Sequence, residues 1–263
     1  MEKQPWYLLS LITALAVLLT ACRGAPTAAP ASTAAPSAPS GATLSPGSAN
    51  PRNPTPRSDS SWQEEFGISD CVLVSTGRNQ YFILEPGYQI VLEGGNEKLV
   101  ITVLNETKTV DGVNTCVVEE KEWKNGELVE VSRNFFAICE KTKDVFYFGE
   151  EVDMYSGGKL ASHTGAWLAG ENGARAGLIM PGMPRVGQKH YQEIAPGVAM
   201  DRAEIVSLDD RVKTPAGTFS NCMKTKEGTA LDPAEQEFKI YAPGIGLIQD
   251  ANLLLTKYGV GLP

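Results

Sequence analysis

The chain has 263 residues, with five cysteines, two histidines and a formal net charge of −8 at pH 7. Lys3, Arg23, Arg52 and Arg57 against Glu2 and Asp59 put the first sixty residues at about +2, leaving about −10 on the rest. Neutralising phosphates needs clustered Lys and Arg, so this balance argues against nucleic-acid partners and against flat adsorption on anionic lipid.

The N-terminus carries an address. Tyr7 to Leu19 is an uncharged apolar run that ends at Leu19-Thr20-Ala21-Cys22. It is shorter than the roughly 20 apolar residues that a bilayer core requires, and small residues follow it, so residues 1–21 read as a signal peptide. Leu19-Thr20-Ala21-Cys22 resembles the lipobox at which bacterial lipoprotein precursors are acylated and cleaved. The resemblance implies that Cys22 becomes a lipidated N-terminus, a stable membrane anchor once several acyl chains are attached. The alternative is an ordinary secretory signal with Cys22 unmodified. Residues 22–60 are rich in Ala, Pro, Ser and Thr. They hold too little apolar surface to offset ordering entropy, which predicts a disordered, PPII-biased tether.

Residues 61–263 read as one β-rich globular domain. Gly94-Gly95-Asn96, Asp111-Gly112, Asn125-Gly126, Gly157-Gly158, Ala216-Gly217 and Glu227-Gly228 separate runs rich in Val, Ile, Thr, Phe and Tyr, the pattern of hairpins. The first group of strands is Tyr88 to Glu93, Leu99 to Val110, Asn114 to Lys124, Leu128 to Cys139 and Val145 to Val152. A second group runs from Asp153 to Tyr258, with Asp209 and Asp210 making a turn before Arg211. So many strands cannot form one small flat sheet. The predicted fold is all-β, an antiparallel meander forming a strongly curved sheet or partly open barrel. Its core takes Val100, Val103, Val118, Phe136, Phe148, Trp167, Ile205, Phe219 and Leu247. Pattern alone leaves open whether the two groups share one sheet.

Gly173 to Gly187 breaks the pattern as a long Gly/Pro-rich loop carrying Leu178, Ile179, Met180 and Met183. Loops of this length are commonly functional or disordered. Two readings follow: a lid that contacts a ligand or partner through pliable methionines, or a loop buried by its own sheet.

Cys71, Cys116, Cys139 and Cys222 form an even set, which in an oxidising exterior reads as two disulfides with three possible connectivities. No cysteine or histidine spacing suits structural zinc. A two-residue turn at Asn125-Gly126 would set Cys116 opposite Phe135 and Cys139 opposite Gly112, too far apart to bond. The favoured pairs are Cys139 with Cys222 and Cys71 with Cys116; buried free thiols are the alternative.

Lys213-Thr214-Pro215-Ala216-Gly217-Thr218-Phe219, Asn221-Cys222-Met223-Lys224-Thr225 and Tyr241-Ala242-Pro243-Gly244-Ile245-Gly246-Leu247 together resemble uncharacterised bacterial envelope lipoproteins of the TapB-like, domain-of-unknown-function type. Glu85-Pro86-Gly87-Tyr88 is similar to their first strand. The likeness spans roughly Tyr81 to Tyr258 and implies a half-open β-barrel with an apolar concavity. Its motifs are structural, a tight turn into a strand and a kink between two strands, and they name no activity.

Catalytic signals are absent: no nucleophile elbow, zinc helix motif or phosphate loop accompanies His163 and His190. Ser162 and His163 are adjacent and point to opposite sides of a strand, so they cannot pair as nucleophile and base. Glu151, Asp153 and Tyr155 share one strand face and could offer oxygens to calcium, but lack a calcium-loop spacing, so a solvated acidic face is favoured. Met180, Met183, His190 and Met200 have the soft-ligand chemistry of Cu(I), against which stands ordinary packing. No cofactor is implied. The expectation is a non-enzymatic lipoprotein, attached to a membrane by its lipid anchor, that binds an apolar or amphipathic ligand. The alternatives are a scaffold for another envelope protein and, third, a copper binder.

Overall fold

Tight turns set the frame of the domain. The computed structural model describes residues 61–262; the signal segment 1–21, Cys22 and the tether 22–60 lie outside the described residues. Both turn residues take positive φ at Asp111-Gly112 (47° and 76°) and at Asn125-Gly126 (53° and 80°). Turns of this kind match the twist of two antiparallel strands and close them into hairpins.

A 3-10 turn at Ile68–Asp70 and three short strands lead in: β1 (Leu73–Val74), β2 (Gly77–Arg78) and β3 (Ile83–Leu84). The predicted meander follows as β4 (Tyr88–Gly94), β5 (Glu97–Val110), β6 (Val113–Lys124), β7 (Glu127–Cys139) and β8 (Val145–Ser156). β9 (Lys159–Ser162), β10 (Trp167–Leu168) and β11 (Arg175–Met180) all pair with β8. Then come β12 (Lys189–Tyr191), β13 (Glu193–Ile194), β14 (Asp201–Thr214), β15 (Gly217–Thr229), β16 (Glu237–Ala242), β17 (Gly246–Asp250) and β18 (Leu253–Val260). Among the described residues, no helix is long and apolar enough to cross a membrane.

β18 pairs with β4, with Leu255 opposite Leu92, and this joins the two groups into one antiparallel sheet. Its order is β12-β14-β15-β16-β17-β18-β4-β5-β6-β7-β8-β11-β13. β12 and β13 are successive pieces of one segment, so the two edges of the sheet meet along it. His190 lies opposite Ala203 of β14, and Glu193 lies opposite Ala176 of β11. The sheet therefore curls into a nearly closed barrel with a stepped seam at Gln192, whose N–H donates to the Asp201 carbonyl at 2.7 Å. Register shifts between Val103 and Thr107, and between Ile205 and Val212, supply bulges that bend long strands.

The all-β, strongly curved architecture agrees with the sequence reading, while several local expectations change. Asp209 and Asp210 make no turn; they lie inside β14, where successive register shifts absorb them. Residues 173–187 are not one long loop: Arg175–Met180 is a wall strand that pairs with β8 and β13, and residues 181–187 stay irregular. One of the four glycines that give this stretch its loop-like composition marks a close approach: a Cβ on Gly177 would stand 2.3 Å from the Gln192 carbonyl oxygen. Leu178 and Met180 are buried in the core, Ile179 is half-buried, and Met183 is 73% exposed.

One apolar core runs through the barrel and under the lead-in segment, with Phe135, Phe146, Leu84, Leu92, Ile205 and Ile248 all buried. Of the predicted core residues, Val100 and Phe219 are half-buried. Val100 stands opposite Lys121, and Phe219 meets Tyr258 edge-on at 6.2 Å.

The disulfide expectation is corrected as well. Cys71 bonds to Cys139, and Cys116 and Cys222 are buried free thiols. β1 runs beside the end of β7 with Leu73 opposite Cys139, which brings the Cys71 and Cys139 Cα atoms to 5.3 Å. Burial pushes the Cys116 thiol up to about 11, which keeps it protonated and unreactive. Cross-linking residues 68 positions apart removes loop entropy from the unfolded chain, worth about 4 kcal/mol. Replacing Cys71 and Cys139 by serine is expected to lower the unfolding free energy by about that amount in denaturant titration. Thiol counting on the unreduced, denatured domain should return Cys116 and Cys222 and neither member of the bonded pair.

Candidate functional site

Alternation along a strand sends every second side chain inward. On β6 the inward residues are Val118, Glu120 and Glu122; opposite them on β7 stand Asn134, Ser132 and Glu130. β8 continues the row with Glu150, Val152 and Met154. The far wall answers with Lys239 of β16, flanked by Thr225 of β15 and Asp250 of β17, and with Glu227 opposite Glu237. Asp201 of β14 and Glu193 of β13 complete the ring near the seam. Glu120 and Lys239 sense each other electrostatically, as do Glu150 and Asp201, although the members of each pair sit on well-separated strands. They therefore face a shared interior, and one part of it is an acidic chamber.

Lys239 is the hub of this chamber. Its Nζ lies 3.6 Å from Glu227, 3.4 Å from Glu237 and 3.6 Å from Asp250. The Thr225 and Tyr241 hydroxyls donate to Glu227 Oε1 at 2.7 Å and 3.2 Å. Toward the seam the Trp167 indole N–H donates to Glu193 at 3.0 Å, and the Tyr147 hydroxyl donates to the Asn134 side-chain oxygen. Glu150 Oε1, Asp250 Oδ1 and both ring nitrogens of His190 are buried with no hydrogen-bond partner among the described residues. Between the hairpin tips at this end lie two clefts, of about 40 and 470 Å³. Glu122 lines the smaller, while Glu97, Lys98 and Trp123 line both.

Glu150, Glu193 and Asp250 are buried and Glu120, Glu122, Glu130 and Asp201 half-buried, and crowding them together away from water shifts their titration. Burial, then the neighbouring charges of Glu130, Glu120 and Asp250, push Glu122 up to about 8. Burial and Glu120 take Glu130 to about 7. Burial raises Asp250 to about 7 against the pull of Lys239, and Asp201 to about 6. Glu120 is raised, and Glu150 and Glu193 are held well above the carboxylate range, in each case chiefly by burial. His190 moves the other way: burial brings it down to about 4, opposed by Glu227 and Asp144.

The residues singled out from sequence fall elsewhere or apart. Glu151 and Asp153 sit on the opposite face of β8, where Glu151 pairs with Lys108, and Asp153 lies 2.8 Å from His163 Nδ1. Met180 is buried beside Val145, His190 is 1% exposed and Met183 is 73% exposed. The copper set Met180, Met183, His190 and Met200 is therefore split, with Met183 outside any enclosed site. Among the described residues no three His, Cys, Asp or Glu side chains converge to hold a metal ion. The acidic chamber itself escaped sequence reading, although Glu120 and Glu122 alternate on a run that was assigned as a strand.

No family model matches the chain, and no curated protein does. Among solved structures it is similar to the crystal structure of a "putative lipoprotein" from Parabacteroides distasonis. That similarity has 14% identity, covers 70% of this chain and 100% of that one, and has a TM-score of 0.35, too loose to carry an argument. The class defined by the structure is thus a single-sheet, nearly closed β-barrel with an apolar core and an acidic chamber.

The chamber makes stability depend on pH in a definite sense. Carboxylates whose values rise on folding stabilise fully below their ordinary values of 3.8 for aspartate and 4.5 for glutamate, and that contribution is lost as pH climbs through the range 6 to 8 set by Asp201, Glu130, Asp250 and Glu122. His190, lowered from 6.5 to about 4, removes stability as pH falls through that interval. Melting temperature is therefore expected to peak in mildly acidic buffer. A fall of more than about 4 °C from pH 6 to 8.5 is expected, because 1 kcal/mol moves a domain of this size by roughly 2–4 °C. A flat calorimetric profile over that range would contradict the burial of these groups.

Proposed function

We propose that the chain is a membrane-tethered, non-enzymatic binding lipoprotein of the extracytoplasmic space, with the acidic chamber as its binding site. The signal-like segment ending at Cys22 and the Pro-rich tether support the location. The Cys71–Cys139 bond fits an oxidising compartment.

The buried, incompletely satisfied carboxylates carry the binding reading. Replacing buried ionic groups by apolar ones of similar size is commonly neutral or stabilising, so a chamber that retains them against stability calls for another use. The chamber's chemistry shifts the apolar or amphipathic ligand expected from sequence toward a polar one: of the residues assigned to contact it, Leu178 and Met180 are in the core and Ile179 is half-buried, which leaves Met183 exposed.

Two measurements test this reading. Metabolic labelling with radioactive palmitate should mark the wild-type chain, and Cys22→Ser should abolish the label and release the protein from membranes. Native mass spectrometry of protein purified without detergent should show a retained small polar mass that leaves on acid unfolding. Retention of protein partners alone would favour the scaffold alternative.

A further inference from the structure

Two carboxylates directly opposite each other on neighbouring strands repel. Glu122 and Glu130 hold those positions on β6 and β7, with Glu120 two residues along on the same face. The chamber's cation, Lys239, is engaged by Glu227, Glu237 and Asp250. Asp250 Oδ1 and Glu150 Oε1 remain buried and unpartnered. Carboxylates therefore outnumber cations in the chamber, and two of their oxygens have no donor among the described residues.

The arrangement discriminates among cations. Calcium or magnesium needs several oxygens converging at about 2.0–2.6 Å, and no three acidic side chains among the described residues group in that way. The carboxylates are instead spread from Glu150 and Glu193 by the seam to Asp250 and Glu122 below the hairpin tips. Spread charges suit a ligand whose positive centres are separated along a chain. Aromatic side chains pack against these carboxylates, the Trp167 indole N–H donating to Glu193 and the Tyr241 hydroxyl to Glu227.

We propose that the chamber binds an extended organic polycation, of which an aliphatic polyamine is the simplest form. Glu122, Glu130 and Asp250 hold one end and Glu150 receives the other. This rests on the chamber being the binding site. Without the cation, protons neutralise the carboxylates, so binding expels protons and tightens as pH rises through the range in which Glu122, Glu130, Asp201 and Asp250 titrate. Glu120, Glu193, Glu227, Glu235, Glu237 and Lys239 act on the same groups and shift the midpoint without changing the direction.

The test is calorimetric titration of the full chain with spermidine at fixed ionic strength, in two buffers of different ionisation enthalpy, at pH 6 and pH 8. Saturable binding with proton release, stronger at pH 8, is expected. The double substitution Glu122→Gln, Glu130→Gln should weaken it roughly tenfold or more, the equivalent of one lost charge-assisted contact. The same double variant should melt at a higher temperature than wild type at pH 8 without ligand, since it removes repulsion. Loss of binding together with higher stability separates recognition from damage to the fold, and the single variant Glu150→Gln gives an independent reading at the other end.

No saturable binding beyond an ionic-strength-matched sodium chloride control, an unchanged affinity in both variants, or a lower melting temperature for the double variant would each overturn the proposal, as would stoichiometric displacement of spermidine by calcium. If spermidine fails while native mass spectrometry still shows a retained mass that the double variant loses, the chamber remains the binding site and its ligand is of another class. If neither is seen, both readings fall.

Discussion

The architecture depends on one segment, Lys189–Ile194, which hydrogen-bonds to strands at opposite ends of the same sheet. Any long antiparallel sheet has two edges with unpaired backbone groups, and both must be covered or closed. Here β12 takes the edge of β14 and β13 takes the edge of β11, within six residues of one another. Closure converts one face of the sheet into an interior. Every alternate side chain on thirteen strands then has to be placed inside, whatever its chemistry.

Two kinds of interior result. Around the disulfide and the lead-in segment, Phe135, Phe146, Ile138 and Leu84 pack into a continuous apolar core. Burying each such side chain contributes about 1.5–3 kcal/mol. On the inward rows the same closure half-buries Glu120, Glu130 and Lys239, fully buries Glu150 and Asp250, and opposes stability. The first region makes the second possible. A barrel held together by the apolar core, the Cys71–Cys139 bond and continuous ladders can tolerate a chamber that is electrostatically strained. The strain is eased locally by Lys239 and by hydroxyl and indole donors to Glu227 and Glu193.

Sequence pattern made most strands legible because turn chemistry at Asp111-Gly112 and Asn125-Gly126 is local and strong. It misplaced what depends on non-local pairing. From Asn125-Gly126 an unbroken two-residue hairpin places Cys116 opposite Phe135. A register shift between Glu122 and Trp123 moves the partner to Phe136 and sets Glu122 opposite Glu130. One extra residue in a strand exchanges the faces of everything beyond it, so the defining pair of the chamber was invisible to alternation counted from the turn. Cys71 was mispaired for a related reason, since nothing local says that β1 docks along β7. Gly177 misled in the opposite direction: a glycine required by close approach to Gln192 looks the same in sequence as one required by a loop.

A buried excess of carboxylates has two ways to become neutral, and they exclude each other. Protons can fill the chamber, leaving it closed to cations; or a cation can enter, and the protons leave. With Asp201 at about 6, Glu130 and Asp250 at about 7 and Glu122 at about 8, the balance between the two states lies near neutral pH. A chamber facing the buffered cytoplasm would seldom sample both. One held outside a cell, as proposed for this chain, meets whatever pH the surroundings impose. Occupancy would then follow external acidity without any moving part, since the proton and the ligand compete for the same oxygens.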